Sequence, residues 1–204
     1  MKFLDYLHNK WVYNHRKNCL IKLITESLTL GEKVLDIGCG DGKIAYLISQ
    51  KMPLANLEGL DLFVRKETHI KVTAFDGIVI PFDDNSFNTS MLIDVLHHTD
   101  NPIELLMEAT RVSKDFVIIK DHIKDGFLSA HILKLMDYVG NASREVRLPY
   151  NYFTQAEWTK LFIEACLEPV LYKKQLKLYP FPINFLFDRN LHFFAKLKII
   201  NINI

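Results

Sequence analysis

Three glycines at alternate positions, Gly38, Gly40 and Gly42, close the stretch VLDIGCGDG (Val34 to Gly42) directly behind a short apolar run. Residues without Cβ atoms can take positive φ and let the backbone approach a ligand closely, and a helix start behind them adds unsatisfied N–H donors. Two acids stand where such a ligand would lie. Asp61 comes 19 residues after Gly42, at the end of an apolar stretch, where a carboxylate can accept both hydroxyls of a ribose. Asp76 ends the next stretch and is followed by Gly77, so a carboxylate can accept from an exocyclic amine while a backbone N–H meets a ring nitrogen. A second set of residues could move protons. His97 and His98 follow TSMLIDVL, with Asp94 close by, and His122 follows Lys120 and Asp121. Histidine titrates near neutral pH, and an adjacent acid such as Asp121 can orient its ring.

The elements that must hold these groups follow from periodicity. Apolar residues recur every three to four positions over 3–28, which predicts one or two amphipathic helices. KVLDIG is a short buried strand, KIAYLISQKM a helix stopped by Pro53, NLEGLDL a second strand and HIKVTAFDG a third. PFDDNSFN is a polar turn before the fourth strand, TSMLIDVL. NPIELLMEATRVS opens a helix with Asn101 as N-cap and Pro102 at its first position, and DFVIIKD is a fifth strand. This alternation describes an α/β chain with a parallel sheet covered on both faces. Beyond it, DGFLSAHILKLMDYVG is helical, REVRLPYNYF is a loop, and TQAEWTKLFIEACLE carries Thr154 and Glu157 at capping-box spacing. PVLYKKQLKLYP and LHFFAKLKI are two more strands around the aromatic loop PFPINFLFDRN. No repeat or linker divides the 204 residues, so one domain is expected. Its parts are a helical cap over 1–30, a cofactor-binding core over 31–121, a substrate-cap insertion over 122–156, and a terminal helix with two strands over 157–204.

Hydrophobic residues make up 49% of the chain, enough for a sizeable core and too many for disorder. No apolar run approaches the ~20 residues of a membrane span, and the N-terminus lacks a signal peptide's apolar stretch. A soluble, cytoplasmic protein is expected. Cys19, Cys39 and Cys166 are odd in number and widely spaced, which suits a reducing compartment and neither a disulfide framework nor a cysteine metal site. No metal is expected. The net charge of +1 gives no general pull toward nucleic acid, and no basic stripe with interleaved aromatics is present. Basic ends, +3 over 1–31 and +5 over 171–204, frame a centre of −7. That pattern leaves room for peripheral contact with an anionic surface such as a membrane, although ordinary solvated faces explain it better.

Taken together, Val34–Gly42, LEGLD (57–61), FDG (75–77), LIDVLHH (92–98) and FVII (116–119) resemble the successive motifs of class I S-adenosylmethionine-dependent methyltransferases. PFDDNSF resembles that family's small-molecule, type 11-like branch. The resemblance implies a Rossmann-like seven-stranded sheet of order 3-2-1-4-5-7-6 with one antiparallel strand, helices on both faces and an N-terminal helical cap. It also implies S-adenosylmethionine lying across the first three strand ends. Asp36 and the backbone at Gly38 and Gly40 would then hold the methionine part, with Cys39 a small buried side chain in the same loop. Asp61 would take the ribose hydroxyls, with Leu62 beside the adenine. Asp76 and the Gly77 N–H would meet the adenine edge, and Ile93 would add a backbone contact near the methionine amine. A dinucleotide cofactor fits less well: the glycines read GxGxG rather than GxGxxG, and Asp36 with Asp76 would repel a pyrophosphate while suiting a cationic sulfonium.

The expected reaction is methyl transfer to a hydroxyl or amine of a small-molecule acceptor, with His97, His98, His122 and Asp121 as candidates for taking up the proton. Arg147, Tyr150 and Tyr152, in an aperiodic stretch mixing charge and hydroxyl, are candidate substrate contacts that suit an acidic small molecule. The Phe-rich loop PFPINFLF would suit an apolar one instead. The family's amino-methylating signature of Asn or Asp, Pro, Pro and an aromatic is absent where LIDVLHH stands, which argues against N-methylation of a base. The rival from another class is a cofactor-binding sensor or partner protein without catalysis.

Overall fold

The computed structural model describes residues 8–54, 56–141 and 149–200. Its strands are β1 (Lys33–Ile37), β2 (Asn56–Asp61), β3 (Lys71–Ala74), β4 (Phe87–Ile93), β5 (Ser113–His122), β6 (Leu167–Lys173) and β7 (His192–Ile199). They form one sheet in the order β3-β2-β1-β4-β5-β7-β6, as the motifs imply. The strands β1 to β5 pair in parallel, and β7 runs antiparallel to both β5 and β6. Helices α1 (Asn14–Thr25), α2 (Lys43–Ser49), α3 (Pro102–Val112), α4 (Ser129–Asn141), α5 (Gln155–Glu164) and α6 (Asn184–Phe187) complete it.

Side chains alternate across a strand, and here both faces are buried. Val117 and Ile119 of β5, with Phe193, Ala195 and Leu197 of β7, face a core that includes Leu106 and Ala109 of α3 and Trp158 and Phe162 of α5. Ile118 and Phe194 face the opposite core with Ile21 and Ile24 of α1 and Ile48 of α2. Each such aliphatic or aromatic side chain contributes about 1.5–3 kcal/mol on burial, so the sheet is sandwiched and its strand ends are held in register. The capping box of α5 is present: the Glu157 N–H donates to Thr154 Oγ1 at 3.2 Å, and the Thr154 N–H donates to Glu157 Oε2 at 2.7 Å. Among the described residues, no helix is long and apolar enough to cross a membrane.

Several local expectations change. The third strand ends at Ala74, before Asp76, and the strand expected over PVLYKKQLKLYP ends at Lys173. The fourth strand stops at Ile93, because Asp94 turns to φ 58° while its N–H donates to the Lys120 carbonyl at 2.7 Å. A short polar side chain tolerates this left-handed conformation, and a 3-10 turn, Leu96–His98, follows. Of the helix expected over 3–28, residues 3–7 lie outside the described residues, and a π-helical turn, His8–Tyr13, leads into α1. Asn101 precedes α3 without a side-chain cap bond, so Pro102 with its preset φ opens that helix instead. The aromatic loop contains the single-turn helix α6.

Candidate functional site

The loop after β1 is shaped by its neighbours. The Gly38 and Cys39 N–H groups both donate to the Leu60 carbonyl, at 2.8 and 3.0 Å, and the Gly40 N–H donates to Asp61 Oδ2 at 2.7 Å. Gly38 has φ 71°, and a Cβ there would lie 2.6 Å from Val95 Cγ2, so any larger residue collides with the turn after β4. Gly40 has φ 62° and nothing within 4 Å of its missing Cβ, which leaves open space above the loop. Asp61 Oδ1 also accepts from the Phe63 N–H at 3.1 Å. Asp76 is exposed, and its Oδ1 accepts from Ile78 and Val79 N–H groups at 2.8 and 2.9 Å, which holds its carboxyl below the usual range. Leu62 stands half-exposed and would touch a Cβ at Gly77 at 2.8 Å, and exposed Phe63, Val64, Ile78 and Val79 extend this apolar rim.

Asp36 is the acid this cradle leaves without a counter-charge. It is 5% exposed and accepts no hydrogen bond from the described residues; burial, and next the Asp61 charge, push its carboxyl up to about 8. The Cys39 thiol is half-buried and raised by burial and the same acids. These residues fit a cofactor that brings a cation and a ribose: a neutralising partner for Asp36, an acceptor at Asp61, and a flat apolar rim for a base.

One strand over, the ends of β4, β5 and β7 meet α1 and α4 around a buried polar centre. Arg16 of α1 donates to Asp94 Oδ2 at 2.5 Å, and the fully buried Lys120 ammonium bonds to Asp94 Oδ1. Against the cost of burial, Arg16 and Lys120 hold the Asp94 carboxyl well below the usual range. His97 Nδ1 lies 2.5 Å from Asp121 Oδ1, whose other oxygen accepts the Leu96 N–H at 3.1 Å. Burial disfavours a charged His97, but the Asp121 carboxylate outweighs it and raises the imidazole. The His98 ring lies tilted against His97 with centroids 3.9 Å apart and is lowered to about 4 by burial and then by His97. His122 Nδ1 lies 3.0 Å from His192 Nδ1, while its Nε2 faces Asp137 Oδ1 at 3.5 Å. Burial and then His97 lower His122. The Tyr152 hydroxyl donates to Asp137, whose carboxyl drops to about 2 because the His122 interactions overcome burial.

All four proton-transfer candidates therefore gather here, but one pairing differs from expectation. Asp121 orients His97 rather than its sequence neighbour His122, because adjacent strand residues point to opposite faces; it takes only the His122 backbone N–H, at 2.7 Å. The His122 ring is set instead by His192 and Asp137. Of the substrate candidates, Tyr152 is buried against Asp137 and Tyr150 is half-buried, while Arg147 lies outside the described residues. The Ile93 backbone sits at the end of β4, paired in register with Lys120. Arg16, Asp137 and His192 are additions from the structure. The first two carried a signal: Arg16 stands four residues before buried Leu20, and Asp137 four after buried Leu133, so each is a charge on an apolar helix face. His192 carried none, since its place opposite His122 depends on the β5–β7 register.

A seven-stranded sheet with a reversed β7 and a glycine cradle over β1 is the fold of class I S-adenosylmethionine-dependent methyltransferases. A Methanosarcina mazei S-adenosylmethionine-dependent methyltransferase superposes with a TM-score of 0.63 at 16% identity, covering 87% of this chain and 97% of that one. A Haloferax volcanii protein in complex with the Trm112 methyltransferase activator superposes at 0.65 and 13% identity, covering 96% and 92%. In sequence, (S)-tetrahydroprotoberberine N-methyltransferase of Eschscholzia californica is 28% identical over 106 residues, 46% of this chain but only 30% of that enzyme. Residues 18–168 match the family model described as methionine biosynthesis protein MetW, and the chain belongs to that family.

Proposed function

We propose that the protein is an S-adenosylmethionine-dependent methyltransferase acting on a hydroxyl or amine of a small molecule in the cytoplasm. The observation that carries the reading is Asp36, a buried carboxyl without a partner beneath a loop whose backbone is open to solvent. A cofactor with an α-ammonium and a sulfonium supplies the missing positive charge, and when bound it provides a methyl group already activated for in-line displacement. Asp36 pairs with the ammonium, and the backbone at Gly38, Gly40 and Ile93 lines the methionine part. Asp61 receives the ribose hydroxyls on its free lone pairs, Leu62 flanks the adenine, and Asp76 with the Gly77 N–H meets its edge. The centre of His97, His98, His122 and Asp121 draws the proton from the acceptor, with Tyr152 packed against the His97 and His122 rings, and Tyr150, Tyr152 and Arg147 are the candidate contacts to the acceptor. The family description and the likeness to (S)-tetrahydroprotoberberine N-methyltransferase both support a small molecule as acceptor.

A second reading is a cofactor-binding partner protein without turnover. It is supported by the closure of the acceptor side, where Arg16 and Lys120 already occupy Asp94. Thermal unfolding with S-adenosylmethionine and S-adenosylhomocysteine tests the cradle. At ~100 times the dissociation constant each should add about 2.7 kcal/mol, and less in Asp61→Ala. No shift with either ligand sinks both readings. Binding without any transfer of labelled methyl to a panel of small hydroxyl and amine acceptors leaves the second.

A further inference from the structure

The segment PFPINFLF divides its apolar side chains between two directions. Ile183 and Phe187, four positions apart, pack inward, and the Phe187 ring centroid lies 5.4 Å from that of Tyr179. Phe181 and Phe185 turn outward, 70% and 71% exposed, with their rings edge to face at 5.8 Å, and Leu186 is exposed beside them. Helix α4 is apolar on two faces in the same way. Leu133 is buried with Ile132 and Met136 packed against it, and Asp137 on that side reaches His122 of the polar centre. Leu128, His131, Leu135 and Tyr138, three to four positions apart, fall on the opposite face and are exposed. Phe127, just before them, is 90% exposed. A small cleft lined by Asp125, Phe127, Ile132, Arg189 and Leu191 joins the start of α4 to the turn after α6, so the two sets form one surface. A helix apolar all round is covered on all sides in the working protein, and contiguous exposed apolar groups mark an interaction site.

We propose that this surface docks on an anionic lipid bilayer, its rings and leucines entering the boundary between headgroups and acyl chains and its flanking cations meeting lipid phosphates. The charge around the patch selects that occupant. Lys134 on α4, Lys177 before α6 and Arg189 after it are exposed, and none makes an ion pair among the described residues. The acids beside them are tied to backbone: Asp188 accepts from the Leu178 and Tyr179 N–H groups at 3.0 and 3.1 Å, and Asp125 from the Gln155 N–H at 3.2 Å. On the far side of the sheet, by contrast, Lys71 pairs with Glu58 and Arg111 with Glu108 and Asp84. Residues 171–204 hold +5 in a chain of net charge +1, so basic charge is concentrated on the part of the chain that bears Phe181 and Phe185. Exposed aromatics and leucines framed by Lys and Arg are the composition of surfaces that lie in a bilayer interface. A second copy fits less well, because a two-fold contact sets the same cations face to face. The apolar face of α4 lies opposite its Asp137, so an acceptor dissolved in the bilayer would approach the polar centre from this side. That consequence rests on the methyl-transfer reading; the docking surface does not.

The test sediments the full chain with vesicles of phosphatidylcholine and phosphatidylglycerol in equal parts, and with vesicles of phosphatidylcholine alone. The expected result is saturable binding to the anionic vesicles, little to the neutral ones, and release as salt is raised. Phe127→Ser combined with Phe185→Ser should weaken binding at least ~10-fold. Lys177→Gln and Arg189→Gln should each weaken it about 5-fold. Circular dichroism reports the fold and S-adenosylhomocysteine binding the cradle, and both should be unchanged in every variant. Wild type that binds the anionic vesicles but not S-adenosylhomocysteine keeps the surface and ends the methyl-transfer reading. No binding of folded wild type to anionic vesicles, binding unchanged in all variants, or equal binding to neutral vesicles would overturn the surface. So would a wild-type dimer in light scattering that the double variant abolishes, which gives the face to a second copy.

Discussion

Replacing Asp36 by Asn should make the protein more stable and its cofactor binding weaker at once. In the folded chain the carboxyl is pushed up to about 8 by burial and the Asp61 charge, against about 3.9 unfolded. A raised acid disfavours folding increasingly as pH climbs from the unfolded to the folded value, so the penalty begins near pH 4 and is complete near pH 8. Four units at 1.36 kcal/mol each set a ceiling of about 5 kcal/mol, which water reaching the open cradle reduces to about 2–3. Urea unfolding of wild type and Asp36→Asn between pH 5 and 8 should therefore diverge, with the variant ahead by about 2–3 kcal/mol at pH 8. An ammonium beside Asp36 reverses the preference. At pH 7 the carboxyl is then mostly protonated without cofactor, and S-adenosylhomocysteine should release that proton. Calorimetry in phosphate and in Tris would show this as a dependence of the binding heat on buffer ionisation. Methylthioadenosine, which lacks the amino-acid part, should release none. Equal stability of the two proteins at pH 8, with no buffer dependence in the wild type, would refute the account of Asp36 as the cradle's acid without a counter-charge.

Three other outcomes follow from the same geometry. Asp94→Ala strands the fully buried Lys120 without its counter-charge and should cost about 3–5 kcal/mol in chemical denaturation. Gly38→Ala forces a Cβ to within 2.6 Å of Val95 at φ 71°, so binding of S-adenosylhomocysteine should be lost and the melting temperature should fall. Thr154→Ala removes half of a formed capping box and should cost about 1 kcal/mol while cofactor binding is unchanged, which makes it the control for general destabilisation.

Much of the fold is legible in local pattern. The glycine loop, Asp61 at the end of β2 and the α5 capping box are set by nearest-neighbour chemistry. The end of β4 was not legible, because Asp94 leaves the strand to meet Arg16 and Lys120, 78 and 26 residues away. The orienting role of Asp121 was misassigned to His122 for a related reason, since proximity along a strand places side chains on opposite faces.

The sequence by itself determined the order of elements, the cofactor cradle and the presence of histidines and acids at the ends of the fourth and fifth strands. These depend on residue type and on spacings of a few positions. Only the tertiary structure decided which of those groups meet. The β5–β7 register sets His192 against His122, α1 brings Arg16 over Asp94, and α4 lowers Asp137 onto both imidazoles. Charge and proton placement in a buried centre depend on distances of a few ångströms between residues far apart in the chain, and those are fixed by packing.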